Sequence, residues 1–298
     1  MKALVTGGSG FIGTEISQQL INRGYRVTSF DIKKSDKVPT IHGSVSDINR
    51  LKRATKEIDV VFHFAALLGV QRTEENPLKT IEINLFGTKN VLEACRLNDV
   101  KKIIFSSSSE IYGEPLSVPI KEMDLPRPKS TYGICKLASE EMIKAYAETY
   151  GIKYDILRLF NVYGAGQSED FVIPKFVKMA LSSKPIIIYG NGLQIRSFAN
   201  VKDVASGILL SLKKNNEIFN IGNDKEPISM INLGKKIYKI IDKPFKVKHI
   251  KFSNTDRSEK REIYKRIPDI NKAREIIGYE PKISLEEGIK SVVKYMEK

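Results

Sequence analysis

The 298-residue sequence contains no tryptophan, three histidines and two cysteines, and no apolar run approaches the roughly twenty residues that a membrane helix needs. Cys95 and Cys135 fall in separate predicted helices, without the close spacing of a metal site. The first strand-like run begins at Met1, too early for a signal peptide to precede it. We therefore expect a protein that does not enter the membrane and that lies in the cytoplasm, where thiols stay reduced.

The sequence also has too few acidic residues to balance its basic ones: it contains 49 lysines and arginines and 35 aspartates and glutamates, which gives a net charge of +14. Such an excess is typical of nucleic-acid-binding proteins. Here it is diffuse and dominated by lysine, with neither an arginine-rich arm nor a nucleic-acid-binding motif. We interpret it as a solvated surface that attracts an anionic substrate, although the charge alone also permits a noncatalytic RNA-binding protein.

A glycine-rich turn near the start, TGGSGFIG at residues 6–13, joins an apolar run to an amphipathic stretch. This is the order strand, turn, helix, with glycines at 7, 10 and 13. Glycine lacks the Cβ atom that would block a diphosphate, and the free N–H groups at the helix start favour its negative charge. A glycine turn taken alone can instead simply pack a helix against a sheet.

Asp31 ends the next strand-like run, about twenty residues after the glycine turn. A carboxylate at that place can accept hydrogen bonds from both hydroxyls of an adenosine ribose, and it repels a 2′-phosphate. The turn and the acid together predict a dinucleotide cofactor, and they favour NAD over NADP.

Short apolar runs alternate with longer helical stretches through the first half of the chain. The predicted strands cover residues 3–6, 26–31, 60–64, 102–107 and 154–159, and the longest predicted helices cover residues 76–98 and 131–151. Short, β-branched strands of this kind are covered on both faces. The alternation predicts an α/β fold with a Rossmann-type, doubly wound parallel sheet, whose ligands gather at the carboxyl ends of the strands.

The pattern loosens after about residue 163. We expect residues 1–163 to form the NAD-binding Rossmann domain, and residues 164–298 to form mainly a smaller α/β substrate lobe. That lobe is interleaved with the last strands of the main sheet, for which residues 217–221 are one candidate.

Tyr132 and Lys136 are four residues apart, which places a phenol and an ammonium group on one face of a helix. A free tyrosine has a pKa of about 10, and a neighbouring cation lowers that value. Such a pair is also common on exposed helices. Context favours catalysis, because the serines at residues 106–109 end a predicted strand and can hydrogen-bond a sugar hydroxyl and a tyrosinate, unless they are only a polar start to a loop.

These motifs, in this order, resemble the extended short-chain dehydrogenase/reductase family, in particular its nucleotide-sugar epimerases, dehydratases and decarboxylases. The resemblance covers nearly the whole chain. It is carried by Asp31 and the segments TGGSGFIG (6–13), HFAA (63–66), NLFGTKNVLEA (84–94), SSSSEIYG (106–113), YGICK (132–136), RLFNVYG (158–164), NGLQIRSFANVKDVA (191–205) and PDINKAREIIGYEP (268–281).

The resemblance implies roles for individual positions. Tyr132 would be the catalytic base, Lys136 would bind the nicotinamide ribose and tune the tyrosine, and Ser108 matches the active-site hydroxyl residue. The residues implied for the rest of the NAD site are Gly7, Gly10, Phe11, Ile12, Gly13, Asp31, Asp47, Phe64, Ala65, Ala66 and Ser106.

For the substrate, the resemblance implies a UDP-sugar whose diphosphate is met by Asn161, Arg196 and Arg257. A guanidinium binds phosphate in a bidentate manner, which suits this task. Arg257 is one of several arginines in residues 256–266. Asn84 resembles an asparagine that lies in the active site or supports it, and the alternative is a residue on a polar helix face.

The resemblance implies a shared first step, in which the tyrosinate takes the C4 hydroxyl proton of the sugar while NAD accepts the C4 hydride. Dehydratases of the family carry an Asp-Glu pair where this chain has Ser109 and Glu110, and UDP-glucuronate decarboxylases commonly carry Ser-Glu. We expect a UDP-hexose 4-epimerase, with glucose and galactose as the default sugars and with decarboxylase or 4,6-dehydratase as alternatives. Glu110 would then be catalytic, or it would only bond neighbouring backbone N–H groups.

The resemblance also implies a homodimer that pairs through the helices at about residues 78–97 and 132–150. Both carry more apolar positions than one sheet-facing stripe needs. Those positions are Ile81, Leu85, Val91, Leu92, Leu137, Met142, Ile143 and Tyr146.

Overall fold

The computed structural model of the protein describes residues 1–251 and 262–297. The strands are β1 (Lys2–Thr6), β2 (Arg26–Asp31), β3 (Thr40–His42), β4 (Val60–His63), β5 (Lys102–Ser108), β6 (Lys153–Leu159), β7 (Val162–Tyr163), β8 (Ile186–Tyr189), β9 (Ile195–Arg196), β10 (Ala199–Asn200), β11 (Glu217–Ile221), β12 (Ile228–Ser229), β13 (Val247–Ile250) and β14 (Lys265–Arg266).

The helices are α1 (Phe11–Asn22), α2 (Ile48–Ala54), α3 (Val70–Glu75), α4 (Pro77–Ile81), α5 (Gly87–Leu97), α6 (Thr131–Tyr150), α7 (Val172–Leu181), α8 (Val201–Ser211), α9 (Met230–Ile240), α10 (Asn271–Ile277) and α11 (Leu285–Met296). A π-helical turn, Glu82–Phe86, joins α4 to α5, and a 3₁₀ turn, Ser109–Tyr112, follows β5. No helix of the described part of the chain is long and apolar enough to cross a bilayer.

Seven strands form one sheet in the order β11-β6-β5-β4-β1-β2-β3, and every neighbouring pair is parallel. Alternate side chains of β1 enter opposite cores: Ala3 and Val5 pack with α1 and α8, and Leu4 packs with α2 and α5. Helices therefore cover both faces, as a Rossmann-type sheet requires, and the predicted fold class is confirmed.

The five predicted strands of the first half agree with the structure within one residue at each end, and β11 is the predicted strand 217–221. The predicted helix at residues 76–98 is interrupted by the π-helical turn, which Asn84 occupies. The helix predicted at 131–151 is α6, whose first turn is capped by the Ser130 side chain and whose end is marked by Gly151 in a left-handed conformation.

The second half of the chain builds a core of its own around α7, α9 and α11, with β8 packed among them. Three small sheets surround it: β8 with β13, β7 with β10, and β9 between β12 and β14. Because β11 returns to the main sheet, the two halves are interleaved along the chain. The division at residue 163 stays a prediction.

Candidate active site

The glycine turn between β1 and α1 is closed so tightly that side chains are excluded. A Cβ atom on Gly13 would stand 2.1 Å from the Gly7 carbonyl oxygen, and one on Gly7 would stand 2.7 Å from the Ala65 nitrogen. The Gly10 N–H donates to the Gly7 carbonyl oxygen at 3.0 Å. The turn thus leaves backbone exposed at the start of α1, which is the shape and polarity that a diphosphate needs.

Phe11 and Ile12 begin α1 directly after the turn, and both are half-buried. Ile12 packs against the sheet core. The Phe11 ring lies near Gly164, where a Cβ atom would be 3.4 Å from the ring. These two residues therefore fix the first turn of α1 between the sheet and the chain that follows β7.

The Asp31 carboxylate lies beside the glycine turn at the end of β2. Its Oδ2 accepts from the Ser9 N–H at 3.0 Å, and its Oδ1 accepts from the Lys33 N–H at 2.9 Å. Since the carboxylate and the open N–H groups of α1 share one edge of the sheet, Asp31 is placed to receive a ribose next to the diphosphate.

The remaining residues predicted for the cofactor border the same cleft. The Phe64 N–H donates to the Thr6 carbonyl oxygen at 3.0 Å, which holds residues 64–66 against the glycine turn. Asp47 caps α2 by accepting from the Arg50 N–H at 3.0 Å. The Gly43 N–H donates to the Asp31 carbonyl oxygen, so the loop that leads to Asp47 starts next to Asp31.

A second cluster lies at the end of β5, where it meets the start of α6. The Ser108 side chain caps the 3₁₀ turn by accepting from the Glu110 N–H at 3.2 Å, and its hydroxyl lies near enough to the Tyr132 phenol to lower the pKa of that phenol. Lys136 is buried one turn farther along α6, and its Nζ donates to the Ser106 carbonyl oxygen at 2.6 Å. The structure therefore brings together Ser106, Ser108, Tyr132 and Lys136, as predicted from separate segments.

The pKa values at this cluster differ from the simple expectation. Burial lowers the pKa of Lys136 to about 7, although Cys135 and Glu140 act in the opposite direction. Burial, and then the charge of Glu110, raises the pKa of the Tyr132 phenol above its ordinary value. Hydrogen bonding by Ser108 and the charge of Arg266 lower the pKa of Tyr132. The groups that lower the pKa of Tyr132 are thus Ser108 and Arg266, rather than the Lys136 expected from the sequence.

Arg266, at the end of β14, is a site residue that the sequence argument did not identify. Its Nη2 lies 2.7 Å from Glu110 Oε1, and its buried Nε has no hydrogen-bond partner among the described residues. The pair stands beside the Tyr132 phenol, whose pKa both charges influence. The available signal was the arginine-containing segment before residue 268, although sequence alone did not show which arginine reaches the site.

Asn84 is buried in the π-helical turn and holds a loop. Its Oδ1 accepts from the Leu67 N–H and its Nδ2 donates to the Leu67 carbonyl oxygen, both at 2.8 Å. The alternative of a residue on a polar helix face is wrong, because the side chain is 2% exposed. Asn84 supports the chain that follows β4.

The residues predicted for the substrate diphosphate are only partly brought together. Asn161 has a positive φ of 27°, and its Nδ2 donates to the Ser197 carbonyl oxygen at 3.2 Å, close to Arg196 in sequence. The Arg196 guanidinium pairs with Glu262 at 2.8 Å. Arg257 lies outside the described residues.

Fold and site together define an enzyme of the dinucleotide-dependent class, with a tyrosine, a lysine and a serine at the carboxyl edge of a Rossmann-type sheet. The model of the NAD dependent epimerase/dehydratase family matches residues 3–222. The chain belongs to this family of NAD-dependent nucleotide-sugar enzymes. The family confirms the predicted resemblance, and it confirms NAD as the cofactor.

Individual relatives are similar over their whole length. A putative UDP-glucose 4-epimerase of Methanocaldococcus jannaschii is 39% identical, over 99% of this chain and 98% of that protein. A UDP-N-acetyl-alpha-D-glucosaminuronate decarboxylase of Bacillus cytotoxicus is 34% identical, over 99% of this chain and 97% of that protein. The structure of UDP-glucose 4-epimerase from Thermotoga maritima with UDP-glucose superposes with a TM-score of 0.93 at 33% identity, covering 100% of this chain and 99% of that one.

Proposed function

We propose that this protein is an NAD-dependent UDP-sugar 4-epimerase. The observation that carries the proposal is the cluster of Ser108, Tyr132 and buried Lys136, whose Nζ lies 5.8 Å from the centre of the Tyr132 ring, at the same sheet edge as the glycine turn. Bound NAD supplies the capacity to take up a hydride from C4 of the sugar and to return it. The default sugars are glucose and galactose.

The side chains have distinct tasks in this proposal. Tyr132 removes and later restores the proton of the C4 hydroxyl, and Ser108 orients that hydroxyl and can relay the proton. Lys136 binds the nicotinamide ribose and contributes positive charge near the phenol. Asn161, Arg196 and Arg257 hold the nucleotide diphosphate.

The substrate is tested by incubating the purified protein with UDP-, dTDP- and GDP-sugars, without added NAD, and by identifying the products by mass and NMR. We expect interconversion of UDP-glucose and UDP-galactose. Failure of every sugar to change at C4 would contradict the proposal. Salt-sensitive retention of RNA on a filter, without sugar turnover, would instead favour the RNA-binding alternative.

Replacing Asp31 by alanine should weaken the preference for NAD over NADP by at least about tenfold, or about 1.4 kcal/mol. The change removes both the ribose acceptor and the charge that repels a 2′-phosphate. Dissociation constants for the two cofactors measure the effect. Asp31→Asn is the matched control, since it keeps an acceptor oxygen and removes only the charge. Tighter binding of NADP than NAD by the wild-type protein would refute the role of Asp31.

A second function, decarboxylation of a UDP-uronate, is favoured by the Glu110–Arg266 pair. Oxidation of a uronate at C4 gives a β-keto acid, which loses carbon dioxide when its carboxylate is held out of the sugar plane. Arg266 offers a buried Nε–H, and a guanidinium binds a carboxylate well.

Glu110 distinguishes the two reactions. In an epimerase Tyr132 serves both half-reactions, and no second acid–base group is needed. Glu110→Gln should therefore retain at least about a tenth of the turnover. In a decarboxylase the same change should abolish activity on UDP-glucuronate. Release of one carbon dioxide per UDP-pentose formed by the wild-type protein would establish the decarboxylase instead.

We also propose a homodimer that pairs through α4–α5 and α6. Three of the predicted contact positions are wrong, because Val91, Leu92 and Ile143 lie in the core beneath the sheet. The exposed large hydrophobic residues of these helices and of the π-helical turn between α4 and α5 are Leu78, Phe86, Leu97, Ile134 and Tyr150. Light scattering at micromolar concentration should give a dimer, and Phe86→Lys should give a folded monomer. A monomeric wild-type protein would contradict the proposal.

A further inference from the structure

A buried network of polar side chains lies directly behind the Tyr132–Lys136 face of α6. Its centre is Glu140, whose two carboxylate oxygens accept from Arg158 at 3.1 and 2.8 Å. Ser107 also donates to Glu140. Arg158 continues the network by donating to the Tyr112 hydroxyl at 2.9 Å and to the Glu122 carbonyl oxygen at 2.7 Å.

This network joins the elements that carry the proposed catalytic groups. Glu140 lies one helical turn after Lys136 on α6, and Ser107 lies between Ser106 and Ser108 on β5. Lys136 itself donates to the Ser106 carbonyl oxygen. Two contacts, one from Lys136 and one from Glu140, therefore fix α6 against the last residues of β5.

The charges around Lys136 come from several elements. His63 on β4 is neutral, because burial and the charge of Lys136 lower its pKa to about 3. Burial raises the pKa of Cys135, so its thiol is uncharged at neutral pH. Arg158 on β6 is cationic and is paired with Glu140. Glu140, which is fully buried one helical turn from Lys136, is thus the carboxylate that can balance the Lys136 ammonium from within the helix.

We propose that Glu140 is a positioning residue, which places a buried carboxylate one helical turn from Lys136 and holds α6 against the serines at the end of β5. It touches neither cofactor nor substrate and acts through Lys136 and Ser107. The inference deepens the proposed function and rests on it, because the positioned groups are those that would perform the sugar chemistry.

The test compares Glu140→Gln with the wild-type protein as purified with its cofactor, using the pH profile of kcat with the UDP-sugar that the protein converts. Removal of the negative charge should make Lys136 lose its proton at a lower pH, because the charge of Glu140 raises the pKa of Lys136 and a neighbouring opposite charge shifts a pKa by about one unit or more. The alkaline limb of the profile should therefore move down by about one pH unit. Glu140→Asp, which keeps the charge, should restore it.

Asp155→Asn is the matched control. Asp155 is also buried, and it pairs with Lys102 at 2.6 Å across the same two strands, but at the opposite end of the sheet. Asp155→Asn should lower the melting temperature without moving the alkaline limb of the pH profile. If Glu140→Gln does not fold, the double variant Glu140→Gln/Arg158→Met should fold, because it removes both charges of the buried pair. The alkaline limb of its pH profile should still lie lower than in the wild-type protein, because Glu140 is the member of the pair that acts on Lys136.

Titration of ε-¹³C-lysine by NMR, with Lys136→Met to assign the resonance, gives a second measurement that needs no substrate. The Lys136 resonance should titrate about one pH unit lower in Glu140→Gln than in the wild-type protein. An unchanged Lys136 titration in a folded variant would overturn the inference. If no UDP-sugar is converted, the proposed function fails, and this titration still decides the role of Glu140.

Discussion

Tyr132→Phe should lower kcat by about 10² to 10⁴, because it deletes the oxygen proposed to serve as the base in both half-reactions. The ring and its packing are kept, so the free energy of unfolding should change by no more than about 1 kcal/mol, the typical value of the lost hydrogen bond to Ser108. Initial rates with the accepted UDP-sugar, together with thermal unfolding, measure both quantities.

The control for Tyr132→Phe is cofactor content. Denatured wild-type protein and denatured variant should release the same amount of NAD, because Tyr132 lies apart from the glycine turn and from Asp31. Retention of more than about a tenth of the activity would show that another group is the base.

Gly13→Ala should have the largest effect on the cofactor site. The added Cβ atom would stand 2.1 Å from the Gly7 carbonyl oxygen, which is backbone and cannot rotate away. The turn must therefore open, with a loss of at least about 2 kcal/mol in stability, as for overpacked cores. The affinity for NAD should fall by at least about tenfold, measured by fluorescence titration or calorimetry.

Gly24→Ala separates this close approach from ordinary backbone strain. Gly24 has a φ of 81°, but a Cβ atom there meets nothing within 4 Å. It should cost about 1 kcal/mol in stability and leave the affinity for NAD unchanged. Equal NAD affinities in the two variants would refute the steric account of the glycine turn.

Much of the fold could be predicted because its signals are local. Each buried parallel strand is a short apolar run, and the capping residue Ser130 and the terminal Gly151 mark the ends of α6 in the sequence itself. The glycine turn and Asp31 were predictable for the same reason, since their spacing follows from one strand-turn-helix-strand unit.

Other features depend on contacts between distant segments, and the sequence did not show them. The Glu110–Arg266 pair joins residues from the middle and last thirds of the chain. In the sequence, Val91, Leu92 and Ile143 exceed the apolar positions that one sheet-facing stripe of a helix needs, but in the structure the core between the sheet and its helices buries them. The three-residue strand β3 and the π-helical turn are too short for a periodic pattern to reveal.

The amide of Asn84 performs for Leu67 what a neighbouring strand performs inside a sheet: it supplies one acceptor and one donor to a single residue's backbone. The segment after β4 is thereby immobilised where no strand is available to pair with it. Since residues 64–66 lie in that segment, one wall of the cofactor cleft is already in place before a ligand arrives. Binding then loses less conformational entropy, which favours tight binding of NAD.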